Sequence, residues 1–241
     1  MAFLLDWDKA GEHFFESGTD HGVIYQIDEN GVYTDGEVWN GLTAVNSNPG
    51  GAEANDLWAD NIKYATLRSA ETYGGTIECY TYPDSFRQNN GEEELVKGVV
   101  ASGQSRKAFG LSYRTKIGNE QDGLDLGYKI HLVYNATTTP SEKAYQTIND
   151  SPDAITMSFE FETTPVSVKD TPLKKPTAHL EIKSIDYKTD KEKAFLAALE
   201  QKLYGTPGDS TVEPAVDPIP AKLPTPYEIV QLYNTIVTGN G

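Results

Sequence analysis

The runs KAFGLSYRTKI (107–117), GNEQDGLDLG (118–127) and YKIHLVYNA (128–136) decide the fold. Phe109, Leu111, Tyr113, Thr115 and Ile117 alternate with Gly110, Ser112, Arg114 and Lys116, and Tyr128, Ile130, Leu132 and Tyr134 alternate with Lys129 and His131. A period of two marks β-strands that set alternate side chains on opposite faces. The reading is a long antiparallel hairpin with one face on a core and a polar face carrying Arg114, Lys116 and Lys129. Its tip is too long for a tight turn, and its Asn, Asp and Gly content suits a mobile, protruding loop. Gly118, Asn119, Gln121, Asp122, Gly123, Leu124 and Asp125 are therefore expected to touch another copy of the chain.

The same alternation recurs on both sides of this hairpin. VIYQID, GVYTDGEVWNGLTAV, IKYATL, YGGTIECYTY, AITMSFEFETTPV and TAHLEIKSI read as strands, with Asn30-Gly31 as a turn signal. Ile77 and Cys79 face inward and Glu78 outward. Residues 46–61 read as a surface loop whose Trp58 can anchor on a neighbouring surface. Residues 83–105 show no clear period; a sheet edge can lie here, and Glu92-Glu93-Glu94 is read as a solvated face. Thr139-Pro140-Ser141-Glu142 has the pattern of a helix start, with Ala144, Tyr145 and Ile148 as its stripe and an end near Asp150-Ser151-Pro152. A second helix starts at Thr189 or Asp190, carries Phe195, Leu196, Leu199 and Leu203, and stops at Gly205. Residues 206–226 are Pro/Gly-rich and read as an extended linker, and Ile229, Leu232, Tyr233 and Ile236 then return at helical spacing. The expected organisation is one mainly β domain over 1–205 with an N-terminal arm, and a linker and C-terminal arm over 206–241.

The chain of 241 residues has a net charge of −16, which opposes adhesion to nucleic acid or anionic membrane. One cysteine, Cys79, excludes an intrachain disulfide framework and fits synthesis in a reducing cytosol. No export signal and no membrane-spanning apolar run is read in the sequence.

Catalytic and metal motifs are weak. His13, His21, His131 and His179 form no ligand pattern, and Cys79 reads as a packed thiol. Glu160 and Glu162 lie two apart on one strand face, as paired carboxylates of a glycosidase can, but alternating Phe and Glu is also what any half-exposed strand shows. The tip resembles a calcium loop in composition without its regular acidic spacing. No catalytic residue, metal or cofactor is assigned. A carbohydrate-binding β-sandwich using Trp39, Trp58, Tyr80 and Tyr82 is the alternative reading.

YATLRSAETYGGTIECYTYP, GQSRKAFGLSYRTKIGNEQDGLDLGYKIHLVYNATTTPSEKAYQTINDSP, AITMSFEFETTPVSV and HLEI before FLAALEQKLYG resemble the major tail tube proteins of long-tailed, non-contractile bacteriophages over residues 22–205. The resemblance implies an antiparallel β-sandwich with flanking helices, whose subunits form rings, usually of six, and give strands to a continuous inner β-barrel. It implies stacked rings around a tape-measure protein, contacts with tail-end proteins, and later passage of double-stranded DNA without specific binding. The product would be a non-enzymatic virion component, made in the host bacterial cytoplasm. Loops and terminal arms, with Trp58, Tyr233 and the hairpin tip as candidates, would bridge subunits or rings. Arg114, Lys116, Lys129 and Glu78 become candidates for the channel wall.

Overall fold

The computed structural model describes residues 7–51, 53–68, 71–145, 147–148, 153–208 and 217–239. Its strands are β1 (Phe15–Ile27), β2 (Tyr33–Val38), β3 (Leu42–Ser47), β4 (Gly50–Gly51), β5 (Ala54–Ala59), β6 (Ile62–Arg68), β7 (Glu71–Thr72), β8 (Gly74–Cys79), β9 (Glu92–Val96), β10 (Val99–Ser102), β11 (Phe109–Asn119), β12 (Gly123–Thr138), β13 (Met157–Thr163) and β14 (His179–Lys183). The α-helices are α1 (Asp190–Tyr204) and α2 (Pro226–Tyr233). The main sheet is antiparallel, in the order β2-β1-β11-β12-β13-β8-β3, with β14 also paired to β12.

The sheet folds over on itself at β12. That strand pairs with β14 through Lys129 to Val133 and with β13 through Ala136 to Thr138. Between the two stretches Asn135 adopts a left-handed backbone, φ 50°. The β11 partners skip there from Leu111↔Val133 to Phe109↔Ala136, which is a bulge. A bulge bends a strand and sharpens its twist. The bend brings β13, β8 and β3 over β1, β11 and β12, and Ile24, Leu111, Val133, Ile77 and Phe159 fill the space between the layers. Trp39 closes this core, its indole N–H donating to the Thr81 carbonyl at 3.0 Å.

The other face of β1, β11 and β12 carries the helices. Val23, Tyr25, Ile130, Leu132 and Tyr134 meet Phe195, Leu199 and Leu203 of α1. Each such large apolar side chain contributes roughly 1.5–3 kcal/mol by leaving water. Both helices begin with a reciprocal cap, Thr189 with Glu192 as expected and Thr225 with Glu228 as well. Two buried tyrosines tie the layers: Tyr25 donates to the Leu203 carbonyl at 2.8 Å, and Tyr134 to the Pro224 carbonyl at 2.8 Å. Leu223, inside the stretch read as linker, is fully buried beneath this tail.

Three expectations are corrected. Register pairs Arg114 with Ile130 and Thr115 with Lys129, so Arg114 and Lys129 point to opposite faces and the hairpin has no single polar side. The apolar sets of its two strands likewise face opposite ways, because a sheet covered on both faces needs apolar residues on both. Next, no helix forms among the described residues of 139–148. Thr139 N–H donates to the Glu160 carbonyl at 2.9 Å and Glu160 N–H to Ser141 Oγ at 3.0 Å, so the hydroxyl and backbone groups that would start a helix hold this segment along β13. The expected end of that helix at Asp150-Ser151-Pro152 lies outside the described residues. Finally, the hairpin tip is short: β11 runs to Asn119, β12 begins at Gly123, and Leu124 and Asp125 are strand residues.

Candidate assembly surface

The tip closes because Asn119 Oδ1 accepts the backbone N–H groups of Gln121 (3.1 Å) and Asp122 (2.6 Å). That local turn lets pairing continue to Asn119↔Gly123. Gly118 is required by the close approach, since a Cβ there would stand 2.2 Å from the Gly123 carbonyl oxygen. The tip is also covered by its own chain. Asn119 Nδ2 donates to the Gly11 carbonyl at 3.1 Å, and the N–H groups of Gly11 and His13 donate to the Glu120 carboxylate. Gln121, Asp122, Gly123, Leu124 and Asp125 remain exposed around it.

A more prominent projection lies at β5 and β6. These strands pair only with each other among the described residues, and their side chains are nearly all exposed. Trp58 is 68% exposed, Ile62 64%, Tyr64 74% and Leu67 56%. An isolated two-stranded ribbon is marginal in water, and apolar side chains on it call for a partner. The ribbon of β9 and β10 repeats the feature on a smaller scale, with Leu95, Val96, Val99 and Val100 exposed. From sequence β6 is legible as a strand and Trp58 as an anchor, but β5, ANDLWA, carries Asn and Asp without clear alternation and so reads as part of a loop over 46–61. Tyr233 packs edge-on against Phe195 of its own chain, centroids 5.1 Å apart.

The charged candidates are mostly paired. Arg114 holds Asp20, with Nε 3.0 Å from Oδ1, and lies over the Tyr128 ring. Burial opposes ionisation of Asp20, yet the guanidinium outweighs it and holds the carboxyl below its ordinary range. Lys129 is buried between Glu16 and Glu181, the latter at 3.2 Å. Lys116 is exposed. Glu78 accepts from Asn46 Nδ2 at 2.9 Å on the outer face of β8. On that face Thr76, Ser158, Glu160 and Glu162 stand beside it, and β3, β8 and β13 contain no Lys or Arg.

The remaining chemical candidates resolve as follows. Cys79 is fully buried in the core, and burial pushes its thiol up to about 11. Glu160 and Glu162 are exposed on the outer face of β13. Trp39 is buried, so it is not an exposed sugar platform; Tyr82 packs against Phe86 and Phe159 and donates to Glu92, while Trp58 and Tyr80 are exposed. His131, His179 and Glu181 come together on β12 and β14, a convergence that single-strand patterns do not reveal.

A family model described as phage tail tube protein matches residues 13–212, which span the whole folded sheet and α1. The chain belongs to the phage tail tube protein family. No curated protein matches it in a sequence comparison. As a tail tube protein it is a structural, self-associating virion tail component, and among the described residues its fold is mainly antiparallel β with two α-helices and no barrel closed within one chain. No helix among the described residues is long and apolar enough to cross a membrane.

Proposed function

We propose that this tail tube protein polymerises as stacked rings, six subunits to a ring, around a tape-measure protein and between tail-end proteins, and that double-stranded DNA later passes through the channel. The observation that carries this reading is the β5–β6 ribbon, which exposes Leu57, Trp58, Ile62, Tyr64 and Leu67 away from either core. A second copy that buries these side chains and pairs their strand edges would stabilise the arm and lengthen the tube in one step. The hairpin tip and the β9–β10 ribbon are assigned to contacts between subunits. The outer face of β3, β8 and β13 is assigned to the channel wall. Both α-helices pack on the other core, and Glu78, Glu160 and Glu162 give this face the sign of the DNA phosphates, so DNA slides without a series of binding wells. Arg114 and Lys129 do not oppose this, since each is held by carboxylates of its own chain.

Negative-stain microscopy and light scattering of the purified chain at rising concentration test the reading. Tubes are expected from the unaltered protein, and a Trp58→Ser/Tyr64→Ser variant should stay monomeric with an unchanged thermal transition. An unaltered chain that remains monomeric at every concentration, or a variant that forms tubes as readily, would count against the assignment of the arm.

A further inference from the structure

We propose that His131, His179 and Glu181 form a site for a divalent transition-metal ion of the zinc class, with water in the fourth position. The three side chains offer ligand atoms that all lie within 4.8 Å of one another. His131 Nδ1 and His179 Nε2 stand 3.3 Å apart. Two nitrogens at about 2.0–2.1 Å from a tetrahedral ion are separated by roughly 3.4 Å, so the pair already spans one edge of the polyhedron. The ring centroids are 5.5 Å apart with planes 10° from parallel.

The surroundings prepare the ligands. Thr115 donates its hydroxyl proton to Glu16 Oε2 at 3.3 Å, so its oxygen is free to accept from His131 Nε2, 3.1 Å away. With its proton on Nε2, His131 presents a bare lone pair at Nδ1, the arrangement a second shell supplies to a ligating imidazole. Tyr113 stacks on His131 at 4.5 Å and Tyr73 on His179 at 4.4 Å, which limits each ring to its own plane. Glu181 divides its two oxygens: Oε2 meets Lys129 at 3.2 Å, and Oε1 lies 3.9 Å from His131 Nδ1. Lys129 keeps Glu16 as a second partner when Oε1 turns to the ion. His179 also lines a cleft of about 260 Å³, together with Glu71, Tyr73 and Thr177. An ion here would clip β12 to β14 and raise stability by mass action.

The test is titration of the purified full chain, freed of metal by a chelator, with Co²⁺ and then Zn²⁺. About one Co²⁺ per chain should give the visible bands of four-coordinate cobalt, lost when Zn²⁺ displaces it, and Zn²⁺ should raise the melting temperature. His179→Ala and Glu181→Gln should each weaken binding by about tenfold or more, and Thr115→Val by roughly 10–100-fold. A His13→Ala/His21→Ala variant should bind as the unaltered chain does. Circular dichroism checks the fold of each variant; if His179→Ala does not fold, Glu181→Gln at its partly exposed position decides. Absence of four-coordinate bands and of a melting shift, or binding that survives the decisive substitution, would overturn the proposal.

Discussion

Asn119 donates its side-chain N–H to the Gly11 carbonyl at 3.1 Å while its Oδ1 accepts from Gln121 and Asp122, so one buried amide both closes the hairpin tip and fastens the N-terminal segment over it. Asn119→Ala removes all of these bonds from a site only 4% exposed. The expected loss is about 1–3 kcal/mol, read from the urea midpoint. Amide exchange at residues 11–14 should rise, because Gly11 and His13 depend on Glu120 holding its place in the turn. Unchanged exchange there would show that the segment is held by other contacts.

Asn135 is the corner of the fold. Its left-handed backbone is tolerated by Asn and Gly far better than by branched residues. Asn135→Gly should therefore leave the thermal midpoint nearly unaltered, and Asn135→Val should cost roughly 1–2 kcal/mol or more. Equal midpoints for the two variants would mean that the bulge relaxes.

These two asparagines also mark where the sequence was readable. Strict alternation identified β1, β8, β11, β12, β13 and β14 as strands, and the Thr189 cap with Phe195, Leu199 and Leu203 identified α1, because both signals are local. Asn119 and Asp122 were read as a loop because turn-forming residues look alike whether the turn they make is short or long. The relative register of β11 and β12 was not legible either. Each strand shows its own period, but which face of one matches which face of the other depends on the turn and on the bulge at Asn135. The Thr139-Pro140 pattern misled for a related reason, since the same hydroxyls that cap a helix can bond a neighbouring strand. The His131, His179 and Glu181 cluster needs β14 beside β12, a pairing of residues far apart in sequence.

Glu92 offers a test by pH. Its carboxylate accepts from Lys143 at 2.6 Å, from Asn90 at 2.9 Å and from Tyr82 at 3.1 Å. Burial alone would raise its pKa, but the Lys143 ammonium and the neutral donors outweigh burial and lower it. A carboxylate with a lowered folded pKa contributes stability that is present above the unfolded value, about 4.5, and lost as pH falls through the folded value. Glu92→Gln should thus destabilise the chain by about 1–2 kcal/mol at pH 7. The gap between variant and unaltered protein should narrow below about pH 4.5, as followed by urea midpoints across the range. A gap independent of pH would assign the loss to shape and not to charge.

The acidic outer face of β3, β8 and β13 makes the strongest demand on the tube. Glu78, Glu160 and Glu162 lie on one side of paired strands that carry no compensating Lys or Arg. If this face lines the channel, reversing its charge converts repulsion of phosphates into attraction while leaving both cores untouched. Tubes built from a Glu78→Lys/Glu160→Lys/Glu162→Lys chain should retain short double-stranded DNA at low salt and release it steeply as salt rises, the mark of counterion release. Unaltered tubes should retain none. Capping the tube ends, or using DNA too thick with bound protein to enter, should abolish the retention, which separates an inner wall from an outer one. Retention that survives blocked ends would place this acidic face on the outside of the tube.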